Sequence, residues 1–142
     1  MFVENNNKIK IEIFYKKKGR LYSCYDSKSF EEEDMPEAER SSYKKVAIYM
    51  KELTWGLYNE IQEESFSEDH SGNRVFNYRL YKEKRLSRLI ESWDAVRADP
   101  QGNPIPIPVN EENIKSLSPE IAELITAVYD DLSYFKEDEE KK

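Results

Sequence analysis

The hydrophobic period of this chain changes along its length, and that change restricts it to a mixed fold. Ile9, Ile11, Ile13 and Tyr15 alternate with Lys8, Lys10, Glu12 and Phe14, the two-residue period of a strand with one apolar face. Ile121, Leu124, Ile125, Val128, Tyr129 and Leu132 instead recur at three- and four-residue spacing, one stripe of a helix over three turns. At 142 residues the expectation is a single α+β domain. A small N-terminal antiparallel sheet, a hairpin plus one strand, occupies residues 1–50. A mainly helical part with three to four helices follows over 52–135, and a charged tail, 136–142, frays.

Local signals fill in this outline. Lys16-Lys17-Lys18-Gly19-Arg20 reads as a polar turn, with Leu21–Tyr25 as the returning strand. Residues 26–42 hold Glu31-Glu32-Glu33-Asp34 and Pro36 with little to bury, which reads as an exposed loop or short helix. Val46–Met50 is a third strand, and three strands sharing an apolar face persist where a hairpin alone is marginal. Thr54 caps a helix from Trp55 to near Phe66, with Leu53 placed to pack on Tyr58 and with Tyr58, Ile61 and Ser65 on one stripe. Asn77 caps the next, with Phe76 and Tyr81 as its hydrophobic staple and Tyr78, Leu86, Leu89, Ile90 and Trp93 on a core-facing arc. Four prolines within residues 100–108 forbid a helix and predict an extended connector. Asn110 caps a short helix through Ser116, and Ser118-Pro119-Glu120 opens the last one. No internal repeat is visible.

The residues that chemistry usually needs are scarce. Four glycines, at 19, 56, 72 and 102, assemble neither a phosphate loop nor a dinucleotide fingerprint. The single histidine, His70, lies in a polar turn without a neighbouring nucleophile, and three consecutive residues, Glu68-Asp69-His70, converge poorly on one metal ion. Glu63-Glu64 and Asp130-Asp131 point about 100° apart on their helices and read as solvated charges. Cys24 reads as a small half-buried strand residue. No catalytic residue, cofactor or metal is therefore expected. The longest apolar run, Val46–Met50, is far short of the roughly 20 residues that cross a bilayer. With a lone cysteine and no visible secretory signal, the expectation is a cytoplasmic protein.

Charge is segregated. The net of −7 resolves into +4 over residues 1–25, −5 over 26–42, −3 over 43–73, +4 over 74–98 and −7 over 99–142. Within the second basic block, Tyr81, Lys84, Arg85 and Arg88 form an i, i+3, i+4, i+7 stripe, the candidate partner-binding face. Such a stripe either pairs with the chain's own Glu31–Asp34 run or docks an acidic protein segment or RNA. The acidic total favours protein over nucleic acid.

Three stretches carry a family resemblance: Glu52–Ile61, Leu86–Asp94, and Asp99–Pro108 running into Asn110–Ile114 and Leu117–Ile121. Their order, a leucine-threonine cap before a helix, a helix ending in tryptophan, a glycine-proline loop and a proline-glutamate helix, resembles the tail assembly chaperones of tailed bacteriophages over residues 52–132. The resemblance implies a non-enzymatic protein that accompanies the helical tape-measure protein and helps recruit tail-tube subunits in the host cytoplasm. It also implies a longer product made by frameshifting, for which codons of Lys141-Lys142 offer a slippery run. Two rival readings are a structural subunit of the virion, as a tail or head-tail connector component, and an acidic inhibitor that mimics nucleic acid. A homo-oligomer is compatible with the aromatic surplus.

Overall fold

The computed structural model describes Met1 and residues 8–140, with side chains described through Ser133. The fold is α+β, with a four-stranded antiparallel sheet and helices. Strand β1 (Lys8–Lys18) turns through Gly19-Arg20 into β2 (Leu21–Asp26). Gly19 takes φ +64°, at the first position of a two-residue turn whose twist suits a hairpin. The strand thus runs on through Lys16–Lys18, which the sequence reading gave to the turn.

The expected loop or short helix at 26–42 is two short helices, α1 (Ser27–Glu32) and α2 (Glu37–Arg40). They lead into β3 (Lys44–Lys51), which pairs with β1 in the register Ile9 to Met50, Ile11 to Ile48 and Ile13 to Val46. Partners in such a ladder share a face, so the isoleucines of both strands meet on one side. That side is the core.

Beyond β3 come α3 (Trp55–Glu63), a small hairpin of β4 (Phe66–Glu68) and β5 (Arg74–Phe76), and α4 (Tyr78–Leu89). The helix expected to continue to Trp93 stops at Leu89, and Ile90–Trp93 forms β6, the fourth strand of the main sheet. The sheet order is β2-β1-β3-β6. Pairing with β3 supplies the backbone partners that further helix would have supplied, and tertiary pairing overrides local spacing here. Tyr78, expected in the core, is 65% exposed, while Leu86, Leu89 and Ile90 are buried.

The proline-rich connector is extended, but it folds back as a hairpin of β7 (Val96–Ala98) and β8 (Pro104–Pro106). Asp99 N–H donates to Asn103 O and Ile107 N–H to Ala95 O. In an antiparallel ladder bonded positions alternate, so Pro104 and Pro106 fall where no N–H faces the partner. Their missing donors cost nothing.

Helix α5 (Glu111–Lys115) and α6 (Pro119–Glu140) complete the chain. Ile121, Ile125 and Tyr129 stand at four-residue steps and bury against the sheet, each contributing about 1.5–3 kcal/mol of burial. Side chains of α3, α4 and α5, namely Ile61, Leu86, Leu89 and Ile114, join the same cluster. Glu120 binds the edge strand directly, accepting from Tyr22 N–H at 3.1 Å. The expectation of a frayed tail at 136–142 falls on residues whose side chains lie outside those described.

Candidate protein-binding surface

Local capping positions α4 as the sequence expects. Asn77 Oδ1 accepts from Leu80 N–H at 3.1 Å, and the rings of Phe76 and Tyr81 lie 5.6 Å apart, closing the staple. Thr54 and Asn110 cap α3 and α5 in the same way.

The four residues of the candidate stripe are placed as follows. Lys84 Nζ donates to Glu111 of α5 at 3.0 Å, and this partner holds the Glu111 carboxyl below its ordinary range. Arg85 grips both oxygens of Asp130 on α6, with its guanidinium 5.4 Å from the Tyr129 ring. Arg88 reaches Glu60 of α3 and Glu64, which caps the C-terminal end of that helix. The three cations thus tie α4 to three different helices, and their carboxylates come from α3, α5 and α6. Glu31–Asp34, the pairing expected within the chain, supplies none of these partners. Glu64 and Asp130 are not the free solvated charges expected, since Arg88 and Arg85 hold them, whereas Glu63 stays largely exposed beside Arg74.

Tyr81 belongs to a different feature. Phe66, Phe76, Tyr81 and Tyr78 form a continuous row of rings, with successive centroids 5.7, 5.6 and 6.1 Å apart. Cations stand over both outer rings: Arg74 lies 4.3 Å from the Phe66 centroid and Lys82 5.4 Å from that of Tyr78. Those cations are themselves paired, Arg74 with Glu63 at 2.5 Å and Lys82 with Glu123 at 2.9 Å. Phe76 and Tyr78 are exposed, and Val75 beside them is too. The row runs from the β4–β5 hairpin onto the first turn of α4, where an apolar surface in contact with water can be covered by a partner.

Sequence reading pairs Tyr81 with Phe76 as a staple and misses the rest of the row, because it places Tyr78 in the core and Phe66 at a helix end. The staple was the available signal: it fixes Phe76 over Tyr81, and two more aromatics flank that pair. A second exposed pair, Trp55 (81% exposed) and Tyr58, occupies the first turn of α3, although Tyr58 shares a helical stripe with buried Ile61 and Ser65. Ser65 is fully buried, its hydroxyl donating to Ile61 O at 2.5 Å.

His70 is exposed in a hairpin tip, and burial raises the thiol of half-buried Cys24 above its ordinary range, keeping it protonated. No group of three potential metal ligands occurs among those residues. A cavity of about 600 Å3 at the start of β1 is lined by Lys8, Lys10, Glu52, Arg85, Tyr129 and Asp130. Its arginine and Asp130 are locked to each other. No described helix is long and apolar enough to cross a membrane. The chain matches no family model, no curated protein and no solved structure.

Proposed function

We propose that this chain is a non-enzymatic protein-binding module, a tail-assembly-chaperone-like protein that holds the tape-measure protein during phage tail assembly and helps recruit tail-tube subunits. The observation that carries the reading is the aromatic row Phe66–Phe76–Tyr81–Tyr78, whose Phe76 and Tyr78 rings are exposed while Tyr81 packs on the core. Aromatic side chains dominate the energetics of protein interfaces, and a row of rings accepts the apolar face of a helix without demanding one sequence. The neutralised cations at its ends favour a polypeptide over a phosphate backbone, since Glu63 and Glu123 already stand on them.

Co-expression with the tape-measure protein of the same gene cluster tests the proposal. The full chain retains it at low salt, and Phe76→Ala with Tyr78→Ala lowers retention at least about tenfold, the loss of one or two hot-spot residues. Absence of retention by the unmodified chain overturns the reading. A chaperone is also missing from purified particles; stoichiometric presence there replaces this function with that of a virion subunit.

A further inference from the structure

Strand β1 outruns the strand beside it. β2 pairs with β1 only from Ile13 to Lys18, and after Asp26, opposite Ile13, the chain leaves the sheet as α1. Among the described residues nothing pairs with Lys8–Glu12 on that side, although β3 pairs with all five on the other. One position of the sheet is therefore half filled.

The parity of the ladder says which backbone groups stand there. Ala47 turns both of its groups away from β1: its N–H donates to Asp94 Oδ1 at 2.8 Å, and its carbonyl accepts from Asp94 N–H at 3.1 Å. Alternation then points Val46, Ile48 and Met50 at β1, where they meet Ile13, Ile11 and Ile9. The N–H and C=O groups of Lys8, Lys10 and Glu12 face the other way. The hairpin agrees, since its two-residue turn closes on Lys18 and Leu21 and sets the even-numbered residues of β1 toward β2. Six backbone groups thus line an open edge of about 17 Å. Helix α6 passes the same stretch: Tyr129, Leu132 and Ser133 share a cavity wall with Lys8, Ile9 and Lys10, and Leu132 is 38% exposed.

We propose that this edge pairs antiparallel with the same edge of a second copy, joining two four-stranded sheets about a twofold axis at Lys10. In that register Lys8 stands opposite Glu12 of the second copy, Ile9 opposite Ile11, and Lys10 opposite Lys10. Both ends of the edge are then opposite in charge and both apolar positions meet apolar ones. Sliding by two residues either sets Lys8 against Lys10 or leaves Lys8 and Ile9 unpaired. Glu12 has room for the new partner: Lys45 holds its Oε2 at 3.1 Å, while Oε1 has only Lys10, at 3.7 Å. Lysines ordinarily blunt an edge strand, but Glu12 supplies their countercharge when the strand meets itself. A foreign acidic strand meets that same glutamate as a repulsion.

Analytical ultracentrifugation of the full chain from about 5 to 500 µM tests this, with amide exchange followed by NMR at both limits. The chain dimerises, and the amides of Lys10 and Glu12 gain protection with concentration while those of Ile9 and Ile11 are protected throughout. Lys10→Pro abolishes the dimer and keeps the parent's circular dichroism, because the N–H it removes faces the open edge. Ile11→Pro removes a donor to β3 and unfolds the chain instead. Lys8→Glu and Glu12→Lys each weaken self-association about tenfold, and an equimolar mixture of the two restores it. A parent that stays monomeric overturns the proposal, as does a dimer that survives Lys10→Pro. A mixture no tighter than either variant alone overturns the register. Protection of Lys10 and Glu12 that appears only when a different polypeptide is added assigns the edge to a foreign strand and overturns self-pairing.

Discussion

Three cations that helical spacing groups into one face, Lys84, Arg85 and Arg88, bind carboxylates 24 to 45 residues away. Spacing tells which side chains leave a helix together; it does not tell where their long stems end. The caps, by contrast, were legible, because Asn77, Thr54, Asn110 and Ser118 each act three residues ahead of themselves. Tyr129 belongs to the first class. Its hydroxyl donates to Lys51 O at 2.9 Å, joining the last helix to the end of β3, and burial raises its phenol above the ordinary range. The unfolded phenol ionises near pH 10, roughly, while the folded one stays neutral to higher pH. Stability from this group is therefore complete below that value and is lost as pH rises through the folded value. Tyr129→Phe is expected to cost about 1 kcal/mol at pH 7 through the orphaned carbonyl. Urea melts at a series of pH values check the sign: the deficit against the parent narrows above pH 10.

Elements written in strong local chemistry were read correctly, and those made by pairing were not. The period-two isoleucines gave β1, and the apolar run gave β3. The last helix followed from its stripe. Strand β6 was hidden because Leu86, Leu89, Ile90 and Trp93 keep helical spacing although Ile90–Trp93 pairs with β3. Strand β8 was hidden by its prolines, although their alternation with Asn103, Ile105 and Ile107 is what an edge strand tolerates. The two small hairpins also share a tip, a short repeat of the form Asp-x-x-Gly-Asn: Asp69-His70-Ser71-Gly72-Asn73 and Asp99-Pro100-Gln101-Gly102-Asn103. In each, the aspartate carboxylate accepts from the amides two and four residues on, at 2.9 and 2.9 Å in the first tip and 2.9 and 2.7 Å in the second. In each, the glycine takes positive φ, +81° and +83°. Asp99→Ala is expected to cost about 1 kcal/mol, by analogy with the loss of a capping side chain. Hydrogen exchange localises the effect: the amides of Gln101 and Asn103 lose protection while those of Ser71 and Asn73 keep theirs.

At the scale of the molecule, division into a β-rich start and a helical remainder describes the order of elements, not their independence. The second half provides β6, and α6 covers β1 and β2. Equilibrium unfolding should then be a single transition, coincident by far-ultraviolet dichroism and by the fluorescence of Trp55 and Trp93. Two separated transitions contradict that coupling. The candidate binding surface was legible only in part, since it joins Phe66 and Phe76 of one hairpin with Tyr78 and Tyr81 of a helix, and the sequence assigned three of those four to other roles. The charge blocks were legible as numbers, and the fold gives them direction. Positive charge stands in two places, on the strands and on α4, and the cations of α4 meet acids of its neighbouring helices, which leaves the acidic excess to α1, α2 and the C-terminal part. The electrostatic share of what holds α4 to those helices therefore fades as ionic strength rises.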